Sequence, residues 1–281
     1  VEIVFLGTAA PGGWAAPGCA CRSCLAPPQH HRAPLATVPA ELPPDVVLLD
    51  VATLPERLAE LRRAGLDGSV HVVAVGLDHR VRSLDELERR LALWGARAVP
   101  DGFVLDTRAP SAARPMPRRT LVLGGSRSGK SAEAELRLAA EPYVTYVATG
   151  PSGDDDPEWA ARVAAHRERR PAHWRTVEST DLAEVIAGAE TPLLIDGIGT
   201  WVSTVQWLDP GGFESRCDDL VEAWRQAPAP VVAVSDEVGM GVVPATTSGR
   251  RFRDALGRVN QRLAAESEEV CLVVAGRVTR L

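Results

Sequence analysis

The stretch 119–133, Arg-Thr-Leu-Val-Leu-Gly-Gly-Ser-Arg-Ser-Gly-Lys-Ser-Ala-Glu, decides the fold. Residues 120–123 are an apolar run that reads as a buried strand. The next eight, Gly124, Gly125, Ser126, Arg127, Ser128, Gly129, Lys130 and Ser131, fit the phosphate-loop pattern G-x-x-x-x-G-K-[ST]. Helix formers fill 132–140, so strand, loop and helix follow in the order that the pattern requires. Glycines let backbone N–H groups turn inward on phosphate oxygens, and a helix N-terminus adds partial positive charge. Lys130 supplies a compact cation for the β- and γ-phosphates, and the Ser131 hydroxyl is a ligand for Mg²⁺. Lys130 is also the only lysine of the chain; every other basic side chain, histidines aside, is an arginine. These residues imply a nucleoside triphosphate, ATP or GTP, bound with Mg²⁺.

A chain of 281 residues suggests two domains or one large one, and 45% hydrophobic content is ample for a core. The net charge is −6, and from Arg118 onward 19 basic residues face 24 acidic ones. An acidic nucleotide-binding half speaks against nucleic acid as the main partner. No apolar stretch approaches the length of a membrane span. The apolar run 1–6 is too short for the core of a signal peptide. Five cysteines, three of them clustered, suit a reduced protein, so a cytoplasmic one is expected.

Beyond the phosphate loop, strands are expected at 120–123, 143–149, 191–196, 230–235 and 270–275, alternating with helices. Such alternation implies a mostly parallel α/β sheet with flanking helices, as in P-loop NTPases. Ligands of open α/β sheets sit at the carboxyl ends of the strands. Those ends carry the phosphate loop, Thr149, Asp196 and the run Ser235-Asp236-Glu237. Asp196 closes an apolar run, where a carboxylate would hold Mg²⁺ together with Ser131. In the segment 154–174, Trp159, Val163 and His166 share one helical face, which by itself reads as a partly buried histidine. Arg167 and Arg170 beside it are a solvated charge run or phosphate ligands. The helix expected at Thr247–Ala265 buries Phe252, Leu256, Val259 and Leu263. Its other side carries Arg251, Arg258 and Arg262, a solvated ridge or a contact for a second anionic substrate.

The first part reads as a small α/β piece with strands at 1–6, 45–50, 70–75 and 96–105. A capping box, Ser83-Leu84-Asp85-Glu86, opens a helix whose buried face is Leu84, Leu87, Leu91 and Trp94. Cys19, Cys21 and Cys24 are spaced to fill three corners of a tetrahedral structural Zn²⁺ site, with His30, His31, His71 or His79 as the fourth; the other reading is three unliganded thiols. A Pro/Ala-rich linker at 108–117 divides a first domain, 1–107, from a second, 118–281.

The opening VEIVFLGTAAPGGW with CACRSC resembles the start of metallo-β-lactamase-fold phosphodiesterases that carry a cysteine-rich zinc insert. Their H-x-H-x-D-H cluster is missing, so the resemblance implies a truncated, non-catalytic remnant with a structural or interaction role. His79 then reads as a leftover ligand or as a lone surface or core histidine.

Nearly all of 118–281 resembles one family, adenosylcobinamide kinase / adenosylcobinamide-phosphate guanylyltransferase. The resemblance rests on GGSRSGKSAEAE, YVATG, EWAARVAAHRERRPAHWRTVE, LLIDGIGTWV, VSDEVGMGVVP and GRRFRDALGRVNQRLA. It implies phosphorylation of adenosylcobinamide by a nucleoside triphosphate, then guanylyl transfer from GTP through a guanylyl-histidine to give adenosylcobinamide-GDP. His166 stands in the family's H-[RK]-x-x-R-P context and is the implied nucleophile, with His173 the other nearby histidine. Arg167, Arg170, Arg251 and Arg258 become candidate phosphate or substrate contacts, and a homotrimer is implied. Departures are Asp236 in place of Asn, Gly197 and Gly199 in place of Cys-x-[ST], and a short segment 206–224. They bear on substrate fit and rate more than on nucleotide binding. Two alternatives remain at this stage: a P-loop small-molecule kinase without guanylyl transfer, and a catalytically degenerate nucleotide-binding regulatory protein.

Overall fold

A computed structural model describes residues 1–35, 42–81, 83–111, 115–150, 164, 168 and 170–281. The chain forms two compact units, Val1–Pro115 with Ala139–Pro142, and Met116–Leu138 with Tyr143–Leu281.

In the first unit, β1 (Glu2–Phe5) is followed by β2 (Val46–Asp50), α1 (Leu54–Arg63), β3 (His71–Val75), α2 (Leu84–Leu93), β4 (Ala96–Arg97) and β5 (Phe103–Asp106). Strands β2, β3 and β4 make a parallel sheet in that order, each joined to the next through a helix. β1 stands outside this layer and pairs antiparallel with β5. A parallel partner needs a long crossover segment, and among the described residues the Gly/Pro-rich run after β1 carries only a three-residue 3-10 helix at Pro28–His30. Phe5, Val46, Val73, Val99 and Leu105 close the core between the two sheets. The capping box forms on its serine side, where the Ser83 hydroxyl accepts from the Glu86 N–H. Trp94 ends α2 as its C-cap.

In the second unit come β6 (Arg119–Gly124), α3 (Lys130–Leu138), β7 (Thr145–Ala148), β8 (Arg175–Glu178), α4 (Leu182–Ala187) and β9 (Leu193–Asp196). They are followed by α5 (Ile198–Leu208), α6 (Phe213–Gln226), β10 (Val231–Asp236), α7 (Thr247–Ala265), β11 (Glu269–Val274) and β12 (Arg277–Arg280). The sheet order is β12-β11-β6-β10-β9-β7-β8, and every pairing except β11 with β12 is parallel. Central strands of such a sheet are covered on both faces, which is why β6, β9 and β10 read as unbroken apolar runs. Alternation along each strand sorts the two cores. Leu121, Ile195 and Ala233 face the core that α4, α5, α6 and α7 cover, with Trp201 and Trp224 fully buried there. Val122, Leu194 and Val232 face the other core, with Ala134 and Leu138 of α3.

Two strands, β8 and β12, carry no apolar run and were not expected. Both lie at sheet edges, where exposed charged side chains are normal because they discourage further strand pairing.

One buried ion cluster ties α3 to the sheet. Arg137, only 5% exposed, sits 3.2 Å from Glu133 and 2.6 Å from Glu269 of β11. Removing the cation would take the shared partner from a buried carboxylate, Glu133, and a partly buried one, Glu269. Arg137→Ala is therefore expected to lower unfolding free energy by about 3–5 kcal/mol. Urea unfolding checks it, and a midpoint equal to wild type would remove the cluster from the stability of this unit.

Candidate functional site

The connections of the second unit leave β6 toward α3 on one face and leave β10 toward α7 on the other. β6 and β10 are neighbours, so their carboxyl ends open a crevice at the point where the crossovers change sides, the place where such sheets take ligands. The loop 124–131 spans that opening. Its turn is closed by the Ser128 N–H donating to Gly125 O at 3.2 Å, and Gly129 holds φ at +99°, a conformation that favours glycine. Arg127 also lies in left-handed space, at φ +55°.

Lys130 opens α3 and is 6% exposed. Its ammonium lies 3.2 Å from Gly125 O and 2.8 Å from a carboxylate oxygen of Asp236, at the end of β10. The Ser131 hydroxyl is 3.4 Å from Asp196 Oδ1, and the Tyr146 hydroxyl donates to Asp196 Oδ2 at 3.0 Å. Burial, and then the charge of Asp196, push the Tyr146 hydroxyl well above its ordinary range, so it stays a proton donor that orients the carboxylate. Arg170 lies 3.7 Å over the Tyr146 ring and donates to Thr176 Oγ1. Of the sequence candidates, the structure thus brings together the loop, Lys130, Ser131 and Asp196, with Arg170 stacked one side chain behind.

The other candidates fall elsewhere. Thr149 braces β7 against the end of β9; its hydroxyl donates to Gly197 O at 2.7 Å and accepts from Gly197 N–H at 3.2 Å. Glu237 caps its own loop by accepting from the N–H groups of Gly239 and Met240. It borders a cavity of about 860 Å³ with Val238, Arg253, Arg258 and Gln261. Arg251 lies on the exposed side of α7, and Arg258 pairs with Glu214 at 3.5 Å. His166 and Arg167 lie outside the described residues.

Sequence reasoning missed two supports of the site. Asn260 of α7, 8% exposed, accepts from Ser235 Oγ at 2.6 Å and donates to Asp236 O at 3.0 Å, fixing the end of β10. Its signal was an amide directly after the apolar Val259, on the side of the helix expected to face the core. The other is Tyr146, one of two tyrosines in the chain, standing in a predicted strand that ends on the site.

The first unit holds a separate constellation. One ligand atom each from Cys19, Cys21, Cys24 and His79 lies within 4.8 Å of all the others. Cys19 Sγ is 3.4 Å from His79 Nδ1. The four candidates for a fourth corner are thereby separated. His79 is beside the thiols, and His71 is buried with its ring nitrogen 3.2 Å from Thr107 O. Reading His79 as a lone histidine is corrected by this geometry: the turn after β3 carries it across to the cysteine loop. The Cys24 backbone N–H and the Cys19 side chain hold the Cys21 thiol down at about 7, so much of it is thiolate at neutral pH. Three sulfurs and an imidazole in a tetrahedral-sized cluster are the donor set of a structural zinc. All five cysteines are free thiols. Among the described residues, no helix is long and apolar enough to cross a membrane.

Comparison with known proteins bears on the second unit. The family model described as cobinamide kinase / cobinamide phosphate guanyltransferase matches residues 120–281. The bifunctional adenosylcobalamin biosynthesis protein CobU of Salmonella typhimurium is 43% identical over 175 residues, covering 56% of this chain and 95% of that protein. The CobP protein of Pseudomonas aeruginosa, which bears the same bifunctional description, is 42% identical over 165 residues, covering 56% of this chain and 94% of its own length. Among solved structures, an ATPase of a type III secretion system superposes at a TM-score of 0.38 with 14% identity, over 55% of this chain and 50% of that one.

Proposed function

The chain belongs to the cobinamide kinase / cobinamide phosphate guanyltransferase family, and from that premise we propose that its second unit carries out both transfers. In the first, the γ-phosphoryl group of ATP or GTP passes to the hydroxyl of adenosylcobinamide, forming a P–O bond as the bond to the β-phosphate breaks. In the second, His166 takes GMP from GTP with release of pyrophosphate and hands it to the new phosphate, giving adenosylcobinamide-GDP. The observation that carries this reading is the grouping of Lys130, Ser131 and Asp196 at the switch-point crevice, in a unit that the family model matches over residues 120–281.

Roles follow from the chemistry of each group. Backbone N–H groups of 124–131 and the start of α3 bind the phosphate chain, and Lys130 holds the β- and γ-phosphates. Ser131 and Asp196 are hard oxygen donors side by side, a set that fits Mg²⁺, which when bound neutralises charge on the departing phosphates. Tyr146 keeps Asp196 oriented, and Asn260 keeps the end of β10 in place. Arg167 and Arg170 would screen the triphosphate as the imidazole attacks the α-phosphorus, Arg251 and Arg258 would meet the acceptor's phosphate, and Thr149 and Glu237 would hold the backbone of the strand ends around it. The assembly proposed is a cytoplasmic homotrimer. The exposed apolar side chains of Trp207, Met240 and Val242 give surface that a subunit contact would cover.

Incubation with adenosylcobinamide and GTP tests the function. Sequential appearance of the phosphate and then the GDP product is expected. The phosphate alone would leave a kinase, and neither product would leave a nucleotide-binding regulatory protein.

For the first unit we propose a structural Zn²⁺ on Cys19, Cys21, Cys24 and His79, stapling the loop after β1 to the turn after β3. It has no part in either transfer, and because the H-x-H-x-D-H cluster is missing, the unit is read as a non-hydrolytic remnant. Elemental analysis of tag-free protein should give about one zinc per chain, as a tetrahedral thiolate site requires, with loss in Cys21→Ser. Equal zinc in both proteins would contradict the site.

A further inference from the structure

The ammonium of Lys130 is paired with a carboxylate at the end of β10. Asp236 Oδ1 lies 2.8 Å from Lys130 Nζ, and the two side chains differ sharply in exposure, 7% for the lysine and 41% for the aspartate. Two further features hold the carboxylate there. Asn260 anchors the Asp236 main chain through its carbonyl. Gly199, in the first turn of α5, leaves the space the carboxylate fills: a Cβ on Gly199 would stand 2.8 Å from Asp236 Oδ2. A side chain at 199 would therefore require the Asp236 carboxylate to shift from this position. The missing side chain and the negative charge form one arrangement.

Resting on the reading of 124–131 as a phosphate site, we propose that Asp236 is a specificity-determining residue that makes the site select metal-loaded nucleoside triphosphates over metal-free ones. The phosphate chain must take Lys130 from Asp236, and it then lies beside a carboxylate whose lysine partner is now shared. A metal-free triphosphate brings its full negative charge to that carboxylate and is repelled. A triphosphate carrying a divalent cation brings less net charge and is repelled less. Discrimination comes from the carboxylate's charge rather than its shape. Asp236→Asn keeps the shape and removes the charge.

Calorimetric titration of the full chain with GTP, once in EDTA and once in excess Mg²⁺, tests this without any turnover. In Asp236→Asn, affinity for metal-free GTP should rise about tenfold, an easily resolved change, while affinity for the magnesium complex should change about threefold or less. A purely structural role would weaken both together. Gly199→Ala gives an independent reading, since its methyl group would crowd Asp236 Oδ2 and disturb its place beside Lys130. It should raise metal-free affinity in wild type and leave it unchanged in an Asp236→Ala background. Parallel changes in both titrations, or a Gly199→Ala effect that persists without Asp236, would overturn the selection. No binding of either form to wild type would instead overturn the phosphate-loop reading beneath it.

Discussion

Lys130→Ala is expected to lower kcat/KM for phosphoryl transfer by about ten- to hundredfold, since a charge-assisted contact is worth about 1.5–3 kcal/mol. The lysine is the only one in the chain and is almost fully buried at the start of α3, so no neighbouring ammonium can take its place. Its removal also leaves the Asp236 carboxylate unpaired at the mouth of the crevice, which adds repulsion to the lost attraction. Lys130→Arg should not rescue the loss. A planar guanidinium is wider than an ammonium, and the position is enclosed by Gly125 O and Asp236. Steady-state kinetics on adenosylcobinamide check both variants, and a Lys130→Ala protein with wild-type kcat/KM would refute the phosphate-loop assignment.

His166→Ala is expected to abolish guanylyl transfer altogether while phosphorylation of adenosylcobinamide survives at least in part. The second transfer breaks into two displacements at phosphorus, and a neutral imidazole is a competent nucleophile near pH 7. Its phosphoramidate is acid-labile and alkali-stable, so the adduct can be told from a phosphoester. The kinase step needs no histidine nucleophile, which is why the two activities should separate in this variant. His173→Ala is the control. If the adduct persisted in His166→Ala and vanished in His173→Ala, the nucleophile would be the other histidine.

Much of the second unit was legible because its signals are local. The apolar runs before Gly124, before Thr149, before Asp196 and before Asp236 all became parallel strands, and the helix expected at Thr247–Ala265 has those bounds. A buried parallel strand announces itself as a continuous apolar stretch bounded by turn residues. β8 and β12 were silent because Arg175–Glu178 and Arg277–Arg280 are half-polar edge strands that exist only through pairing with β7 and β11. The site shows the same division. The phosphate loop is a contiguous motif, and Asp196 was found because strand ends in such sheets carry the chemistry. Thr149 and Glu237 were proposed by that rule too, yet their side chains are bound to Gly197 and to the 239–240 backbone. A strand end places a residue near the crevice, and its hydrogen bonds decide where it points. The Lys130–Asp236 pair and the room that Gly199 gives it join residues far apart in sequence, and nothing local announces them. In the first unit, spacing alone could suggest three thiols but could not choose among four histidines; only the turn after β3 brings His79 to them.

The most direct measurement is the fate of the two ends of GTP on the wild-type chain. With GTP labelled at the α-phosphorus, protein precipitated in alkali should carry close to one label per active site, lost on acid treatment, with an equal amount of pyrophosphate released. With label at the γ-phosphorus, the protein should stay unlabelled and adenosylcobinamide should become radioactive. Label from the γ position on product with none from the α position on protein would contradict the bifunctional reading and leave a kinase alone.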